Sequence, residues 1–368
     1  MEKLYNYYTS TDTANKILTG GVIWATNIKY MNDSEEFLNG LNEIEKYDGT
    51  KVNKDKLTDC VNALRKLPNV KQYTISLCGR SDALSQWSMY AKESGVCLEM
   101  NIDEYNDKIG YKIEDNDDIQ EFPLEFNHVI YCTASSGVMT KNKLNKAQSK
   151  IKELIDLICN NDQGTNVMQD AVTKCAALIK RQEFFQEDEF RAIFNLNSAD
   201  KKCIGFRIDK GVLKSYVRVK CKVNGKTGWP VKSIMIGPGF NQDVVFNSWI
   251  FFLDNANLKI PEISKDEYLK KKKKYFDCVF SKCPKRCRRK LQNIAKRHFN
   301  KWEGFSELEN PWFSSRIHIQ HFNLIDDLNA AVTSNDEETK VLLSEYWSNN
   351  YFSESGILLK KSSIPYIF

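Results

Sequence analysis

Glu189-Phe190-Arg191-Ala192-Ile193-Phe194 opens the part of the chain whose reading decides the fold. Phe190, Ala192 and Phe194 alternate with their neighbours at the period of a strand, and from Glu189 to Val245 strand patterns keep returning. Tyr216, Val217 and Val219 lie in an extended run, and Asn224-Gly225 is a hairpin signal. Val231 to Ile236 is a compact apolar strand stopped by Gly237-Pro238-Gly239.

Upstream of this stretch, strands alternate with short helices. Tyr5 to Thr9 reads as extended, Thr11 or Asp12 caps a helix to Leu18 that stops at Gly20-Gly21, and Val22 to Ala25 is again a strand. Asn32-Asp33-Ser34 starts a helix with Glu35 and Glu36 in its first turn and Phe37, Leu41 and Ile44 inward. Tyr73, Ile75 and Leu77, alternating with Thr74, Ser76 and Cys78, predict a half-buried strand. Ser81 or Asp82 caps the next helix, with Leu84, Trp87 and Ala91 inward, and Gly95 ends it before a strand from Val96 to Met100.

Two amphipathic helices are expected to cover the sheet. One carries Leu144, Ala147, Ile151, Leu154, Ile155 and Ile158, and the other Val167, Ala171, Val172, Cys175, Leu178 and Ile179. Ile357 to Ile367 reads as a last strand. Helices before and between many short strands predict an α+β domain with a mixed, mainly antiparallel sheet under helical cover, not a doubly wound parallel sheet. The chain lacks a G-x-G-x-x-G after a strand, a G-x-x-x-x-G-K-[ST] loop and a G-x-S-x-G elbow, so Rossmann, P-loop and nucleophile-elbow designs do not apply.

With 368 residues, 42% of them hydrophobic and 27% charged, the chain is long enough for two or three units with cores. Seventeen Gly and eight Pro are too few for a linker-dominated or disordered protein. Met1 to Tyr8 has no apolar signal region, and the uncharged runs are shorter than a bilayer span needs. Eleven cysteines, an odd count, suit a reducing compartment, and a cytoplasmic location is expected.

The net charge of +5 conceals an asymmetry. Residues 265–301 carry fifteen Lys and Arg against three acids, a charge of +12, and the rest of the chain carries −7, with an acidic spot at Glu114, Asp115, Asp117, Asp118 and Glu121. A helix opening at Pro284 places Cys287, Leu291, Ile294, Ala295, His298 and Trp302 on one stripe, with Arg286, Arg289, Lys296 and Arg297 opposite. With Lys271, Lys272 and Lys273 of the lysine run, these cations form a candidate nucleic-acid surface, RNA or DNA; the alternative is a solvated face. Cys278, Cys283 and Cys287 do not follow a standard zinc spacing, and Cys287 and His298 would sit about 16 Å apart along one helix. Buried thiols and a core histidine are the expectation there.

Gln186-Glu187-Asp188-Glu189-Phe190-Arg191 is the candidate site. At a strand entrance Glu187, Glu189 and Arg191 share one face, with Asp188 and Phe190 on the other. Carboxylates about 7 Å apart can hold a ribose hydroxyl and steady a positive oxocarbenium-like centre, and the arginine keeps them ionised. A ladder of surface charges along an edge strand is the plainer alternative.

The order of the motifs carries a resemblance. Tyr7-Tyr8-Thr9-Ser10, Met31-Asn32-Asp33-Ser34-Glu35, Ser76-Leu77-Cys78, Trp87-Ser88-Met89-Tyr90-Ala91, Gly95 to Glu99, Phe184 to Arg191, Ile236-Gly237-Pro238 and Ser363-Ile364-Pro365-Tyr366 together resemble the bacterial DUF2971 family, associated with abortive infection and defence. The resemblance spans residues 1–258 and returns at 357–368, which implies a core domain interrupted by an inserted, mostly helical basic domain at 259–356. The family's layout is similar to that of ADP-ribosyltransferases. By that similarity Glu189 or Glu187 is catalytic, Tyr7, Tyr8, Ser76, Tyr90 and Arg191 contact the cofactor NAD, and Tyr7 stands where the family has histidine or lysine.

The resemblance therefore implies a cytoplasmic defence or toxin-type effector that uses NAD to modify a nucleic acid or protein. The alternatives are a non-catalytic nucleic-acid-binding or sensor protein on the same fold, and a nuclease with Glu187, Glu189 and Asp33 around magnesium. Trp87, Tyr90 and Glu99 have a simpler reading as a helix-strand core with a satisfied acid, and Asn32, Asp33 and Glu36 as a helix start, functional only if it faces the cleft of Glu189.

Overall fold

The computed structural model describes residues 4–31, 35–46, 54–67, 70–92, 95–105, 109–114, 122–132, 165–196, 202–209, 211–239, 241–261, 264–303, 324–332, 337–353 and 357–364. Asn32, Asp33, Ser34, the helix expected from Leu144 to Ile158, Asp115 to Glu121, and Pro365 and Tyr366 lie outside them. Among the described residues no helix is long and apolar enough to cross a membrane.

The chain is mixed α+β around one large, mostly antiparallel sheet. Its strands include β1 (Tyr5–Thr9), β2 (Val22–Asn27), β3 (Gln72–Cys78), β4 (Val96–Met100), β10 (Glu189–Asn195), β11 (Ile204–Asp209), β12 (Val212–Val223), β14 (Val231–Ile236) and β16 (Leu358–Lys361). The Asn224-Gly225 turn closes the expected hairpin after β12, with both residues in the left-handed region. The last strand is shorter than expected and lies parallel to β14.

Register divides the sheet into two chemically different faces. Phe190, Ala192 and Phe194 pair with Leu77, Ile75 and Tyr73 and join a core with Leu98, Val217, Val219 and Ile234. That apolar face packs on α1 (Thr11–Gly20), through Ala14, Ile17 and Leu18, and on Gln242–Asn255, through Phe246, Trp249 and Leu253. Glu189 and Arg191 pair with Cys78 and Ser76, so they occupy the opposite face with Asn6, Thr74 and Glu99.

The second face carries two separate covers. Over β3 and β10 lie α2 (Glu36–Glu45), α3 (Lys54–Lys66) and α5 (Thr165–Ala177), whose core includes Phe37, Leu41, Ile44, Leu64 and Cys175. Over β1, β4 and β14 lies α4 (Leu84–Tyr90), through Trp87 against Tyr8, Cys97 and Met235. The expectation of a half-buried β3 fails for this reason, since helices cover the side that alternation left to water.

Between the two covers the sheet forks. β10 pairs along the whole of β3 on one edge, from Gln72 to Cys78. On the other edge β3 meets β1 only at Cys78 and β2 only at Tyr73 and Thr74. Among the described residues, no strand therefore pairs with Ile75, Ser76 and Leu77 on that edge, and β1 and β2 diverge to either side of it.

Several local details differ from the sequence reading. Ser10, not Thr11 or Asp12, caps α1 by accepting the amide of Thr13 at 3.2 Å, and Gly21 in the left-handed region ends it. Neither Ser81 nor Asp82 caps α4; the Asp82 carboxylate instead accepts from the Trp87 indole at 2.9 Å and from Ser363, and Leu84 is exposed. The helix α5 ends at Ala177, and Ile179–Arg181 is a strand, β9, parallel to Ile130–Cys132, β8.

Helices dominate the basic region, with α7 (Lys265–Lys282), α8 (Lys285–Glu303), residues 324–331 and Glu337–Asn349 packed around Phe276, Phe280, Leu291 and Leu343. This core reaches the sheet through Phe352 and Leu358.

Candidate functional site

Two stretches far apart in sequence, Glu36 and Lys180 to Arg191, supply one buried ion network on the polar face. A 3-10 turn, Gln182–Glu187, delivers Glu187, and Asp188 at φ 45° turns the chain into β10. Gly79 makes that turn possible, because a Cβ there would lie 2.3 Å from Asp188 Oδ2. Asp188 faces the other way and meets His128 Nε2 at 2.8 Å. Phe190 enters the apolar core, as the alternation predicts.

Lys180 on β9 stands at the centre. Its Nζ lies 2.7 Å from Glu187 Oε2, 2.9 Å from Glu189 Oε2 and 3.4 Å from Glu36 Oε2. Both acids therefore converge on one ammonium, closer together than the two-residue strand spacing suggests. Arg191 donates through Nε to Glu189 Oε1 at 2.7 Å and through Nη2 to Glu189 Oε2 at 2.8 Å. It also pairs with Glu36 and donates to the carbonyl of Ala177 at 2.6 Å. Buried charges survive only when paired and hydrogen-bonded in this way.

The two glutamates are shifted in opposite directions. Burial alone would raise Glu189, but Arg191, Lys180 and the Ser76 hydroxyl outweigh it and hold the carboxyl well below the usual carboxylate range. Burial is also the largest influence on Glu187; with the nearby charge of Glu189 and Glu36, it raises that carboxyl despite Lys180. Glu189 has both oxygens occupied by cations. Glu187 makes its side-chain bond through Oε2, and among the described residues Oε1 has no partner.

Glu187 and Glu189 line a cleft of about 580 Å³ at the fork of the sheet, within the usual size range of small-molecule sites. The unpaired edge Ile75-Ser76-Leu77 is part of its lining. Tyr7, Tyr8, Tyr90 and Met89 stand on one side, and Trp24, Thr26, Arg207 and Lys214 on the other. Trp24 is 41% exposed, stacks on Tyr216 with ring centres 4.2 Å apart, and has the Arg207 guanidinium 5.9 Å from its own centre. Tyr8 is anchored: its phenol donates to the carbonyl of Arg80 and accepts the amide of Ala83, each at 3.0 Å.

The cleft thus gathers Tyr7, Tyr8, Ser76, Tyr90, Glu187 and Glu189. Arg191 departs from its expected cofactor contact, being 1% exposed, absent from the cleft lining and committed to Glu189, Glu36 and Ala177. Glu36 lies on the cleft lining, where it pairs with Lys180 and Arg191. Lys180 escaped the sequence reading; its one signal is a lone cation after the apolar run Ala176-Ala177-Leu178-Ile179. Glu99 is the satisfied acid expected, bonded to Ser81 at 2.6 Å, to Ser233 and to Lys360.

Among the described residues no group of three or more His, Cys, Asp or Glu side chains is placed to hold a metal ion. The point on which Glu36, Glu187 and Glu189 converge is taken by Lys180, and Asp33 lies outside the described residues. The expectation of buried thiols holds for Cys283, in the helical core, and in part for the half-buried Cys287, but not for Cys278, which is exposed; the buried His298 pairs with Asp327 at 2.8 Å. Of the nucleic-acid candidates, Lys273, Arg286, Arg289, Lys296 and Arg297 are exposed, and Lys271 pairs with Glu267 at 2.8 Å. Lys272 departs from expectation: it is buried and donates to the Tyr268 phenol at 3.0 Å, because it falls on the inner stripe of α7 with Tyr268, Tyr275 and Phe276. A second, more apolar hollow of about 450 Å³ lies beside α5, lined by Val167, Ala171, Leu178 and Phe194 among others.

Residues 86–192 match the family described as "Protein of unknown function (DUF2971)", a stretch that runs from α4 into β10 and carries Tyr90, Lys180, Glu187, Glu189 and Arg191. No curated protein and no solved structure matches the chain.

Proposed function

We propose that this member of the DUF2971 family is an ADP-ribosyltransferase-like enzyme, a cytoplasmic effector of the defence or toxin type. In this reading it breaks the nicotinamide–ribose bond of NAD and passes ADP-ribose to an acceptor. One observation carries the reading. The tyrosines of the first strand, Ser76 of the central strand and the two acids at the start of β10 meet in one cleft, and the acids there differ in protonation tendency. Where environments push two carboxyls apart, the one whose pKa is raised, here Glu187, is the one suited to proton transfer.

The roles follow from the contacts. Glu189, neutralised by Arg191 and Lys180, positions the network. Glu187, with Oε1 available, is the group for a ribose hydroxyl and for the positive charge that grows at the anomeric carbon. The carbon–nitrogen bond breaks with its electron pair leaving on nicotinamide. The acceptor's O–H or N–H adds at that carbon, and its proton passes to Glu187, whose raised pKa suits it to receive one. Lys92 and Arg207 on the lining offer positive charge for a pyrophosphate, while Lys214 is paired with Asp209 at 2.8 Å, and Trp24 offers an aromatic surface for a base.

The test is incubation of the full chain with NAD labelled in its adenylate half, in the presence of RNA, DNA and cell protein. The reading expects released nicotinamide and labelled acceptor, reduced at least a hundredfold in Glu187→Gln. Absence of both products with wild type, or equal rates in Glu187→Gln, contradicts it.

A further inference from the structure

The outer face of α8 is a one-sided charged surface. Between Lys285 and Asn300 the helix contains no acidic residue. At 100° per residue, Arg286, Arg289, Asn293, Lys296, Arg297 and Asn300 fall within an arc about 100° wide, and Arg286 and Arg297 lie about 16 Å apart along the axis. All six are exposed, while Leu291, Ile294, Ala295, His298 and Phe299 face the helical core. Arg288 is not part of this arc; its guanidinium turns back to the carbonyls of Phe280, Ser281 and Cys283 and closes the end of α7.

Elsewhere the exposed helices mix charges. Lys16 pairs with Asp12 at 2.6 Å in α1, and Lys271 with Glu267 at 2.8 Å in α7. Arg289, Lys296 and Arg297 have no carboxylate partner among the described residues. Like charges one turn apart oppose the helix that carries them, so a face of this kind gains nothing in the isolated chain. A polyanion supplies the missing negative charge.

We propose that this face is a docking surface for the phosphate backbone of duplex DNA, independently of the chemistry of the cleft. Guanidinium forks match phosphate oxygens in pairs, and three of the four cations on the arc are arginines. The arc carries no aromatic side chain, so it lacks the stacking platform on which single-stranded RNA or DNA is held. A helix packed by its inner face against the helical core can enter the wide major groove of B-form DNA and not the deep, narrow one of A-form RNA. Asn293 and Asn300 are the only other side chains on the arc, which predicts affinity with little sequence preference.

The experiment is fluorescence anisotropy of the full chain with a labelled 25-base-pair duplex, single-stranded RNA of equal length and vesicles containing anionic lipid, across a series of salt concentrations. The variants are R289Q/K296Q/R297Q and, as a control on other surfaces, K16Q/K46Q/K66Q. Duplex DNA is expected to bind best and to weaken as salt rises. The first variant is expected to bind at least tenfold more weakly, with the slope of log affinity against log salt reduced by about 3, close to 0.9 per lost phosphate contact. The control is expected to keep both values, and unchanged thermal unfolding shows that the exposed substitutions leave the fold intact. Tighter binding to RNA or to vesicles overturns the proposal, as does an equal loss in the two variants or no duplex binding by wild type.

Discussion

The ammonium of Lys180 donates to Oε2 of Glu187 across 2.7 Å, inside a shell where both side chains are buried. This contact restrains the upward shift that burial imposes on Glu187, because the neighbouring cation favours the ionised carboxylate. Lys180→Met removes that restraint. The acid limb of the pH–rate profile for nicotinamide release is therefore expected to move to higher pH in the variant, since Glu187 stays protonated further up the scale. A limb that stays in place would show that Glu187 does not set it.

Arg191 is expected to matter for stability before it matters for rate. Removing one partner of a buried pair leaves the other charge uncompensated, at about 3–5 kcal/mol. Arg191→Met leaves Glu189 and Glu36 to share the single remaining cation, Lys180, already paired with Glu187. Denaturant unfolding should show a loss of that size, and a loss under about 1 kcal/mol would mean that the network is not the closed structure described.

Glu189 also fixes a pH dependence. Its folded pKa lies below the unfolded value of about 4.3, so ionisation favours the folded chain above that value, and this contribution fades as pH falls through the lowered pKa. Glu189→Gln loses the contribution at neutral pH. The stability difference between wild type and variant is expected to shrink on acidification below about pH 4, measured by urea unfolding at a series of pH values. A difference that grows in that range contradicts the assignment.

Gly40 connects helix packing to the site. A Cβ at this position would lie 2.3 Å from the carbonyl oxygen of Ala176, so α2 and α5 approach too closely for any side chain. Gly40→Ala must push α2 outward and carry Glu36 away from Lys180 and Arg191. A loss of about 1–3 kcal/mol is expected, the usual cost of overpacking, together with slower nicotinamide release. Unchanged unfolding and rate would show that the helix pair yields without disturbing the network.

Much of the architecture was legible because period and punctuation are local signals. The alternation of Phe190, Ala192 and Phe194, the Asn224-Gly225 turn and the stripe of Leu291, Ile294 and Ala295 each depend on neighbours a few residues away. The meeting of Glu187 with Glu189 was expected from strand period, but it arises otherwise: Glu187 ends a 3-10 turn before the strand, and Lys180 draws the two together. Lys180 and Glu36 were not legible, since their roles arise only when β9, α2 and β10 meet in space. The burial of β3 on both faces was hidden too, because alternation marks which side chains share a face and not whether a helix covers it. Lys272 shows the limit of reading a charge run as one surface: helical periodicity carried its middle member inward to Tyr268.

The central claim is that the fork beside β3 binds NAD with its reacting ribose against Glu187. A crystal structure of the full-length Glu187→Gln protein soaked with NAD tests it most directly. The account predicts a ribose hydroxyl within hydrogen-bond distance, about 3 Å, of the Gln side chain at 187, with the base beside Trp24 and the pyrophosphate near Arg207. NAD seated in the apolar hollow beside α5, or failing to bind at millimolar concentration, would contradict it.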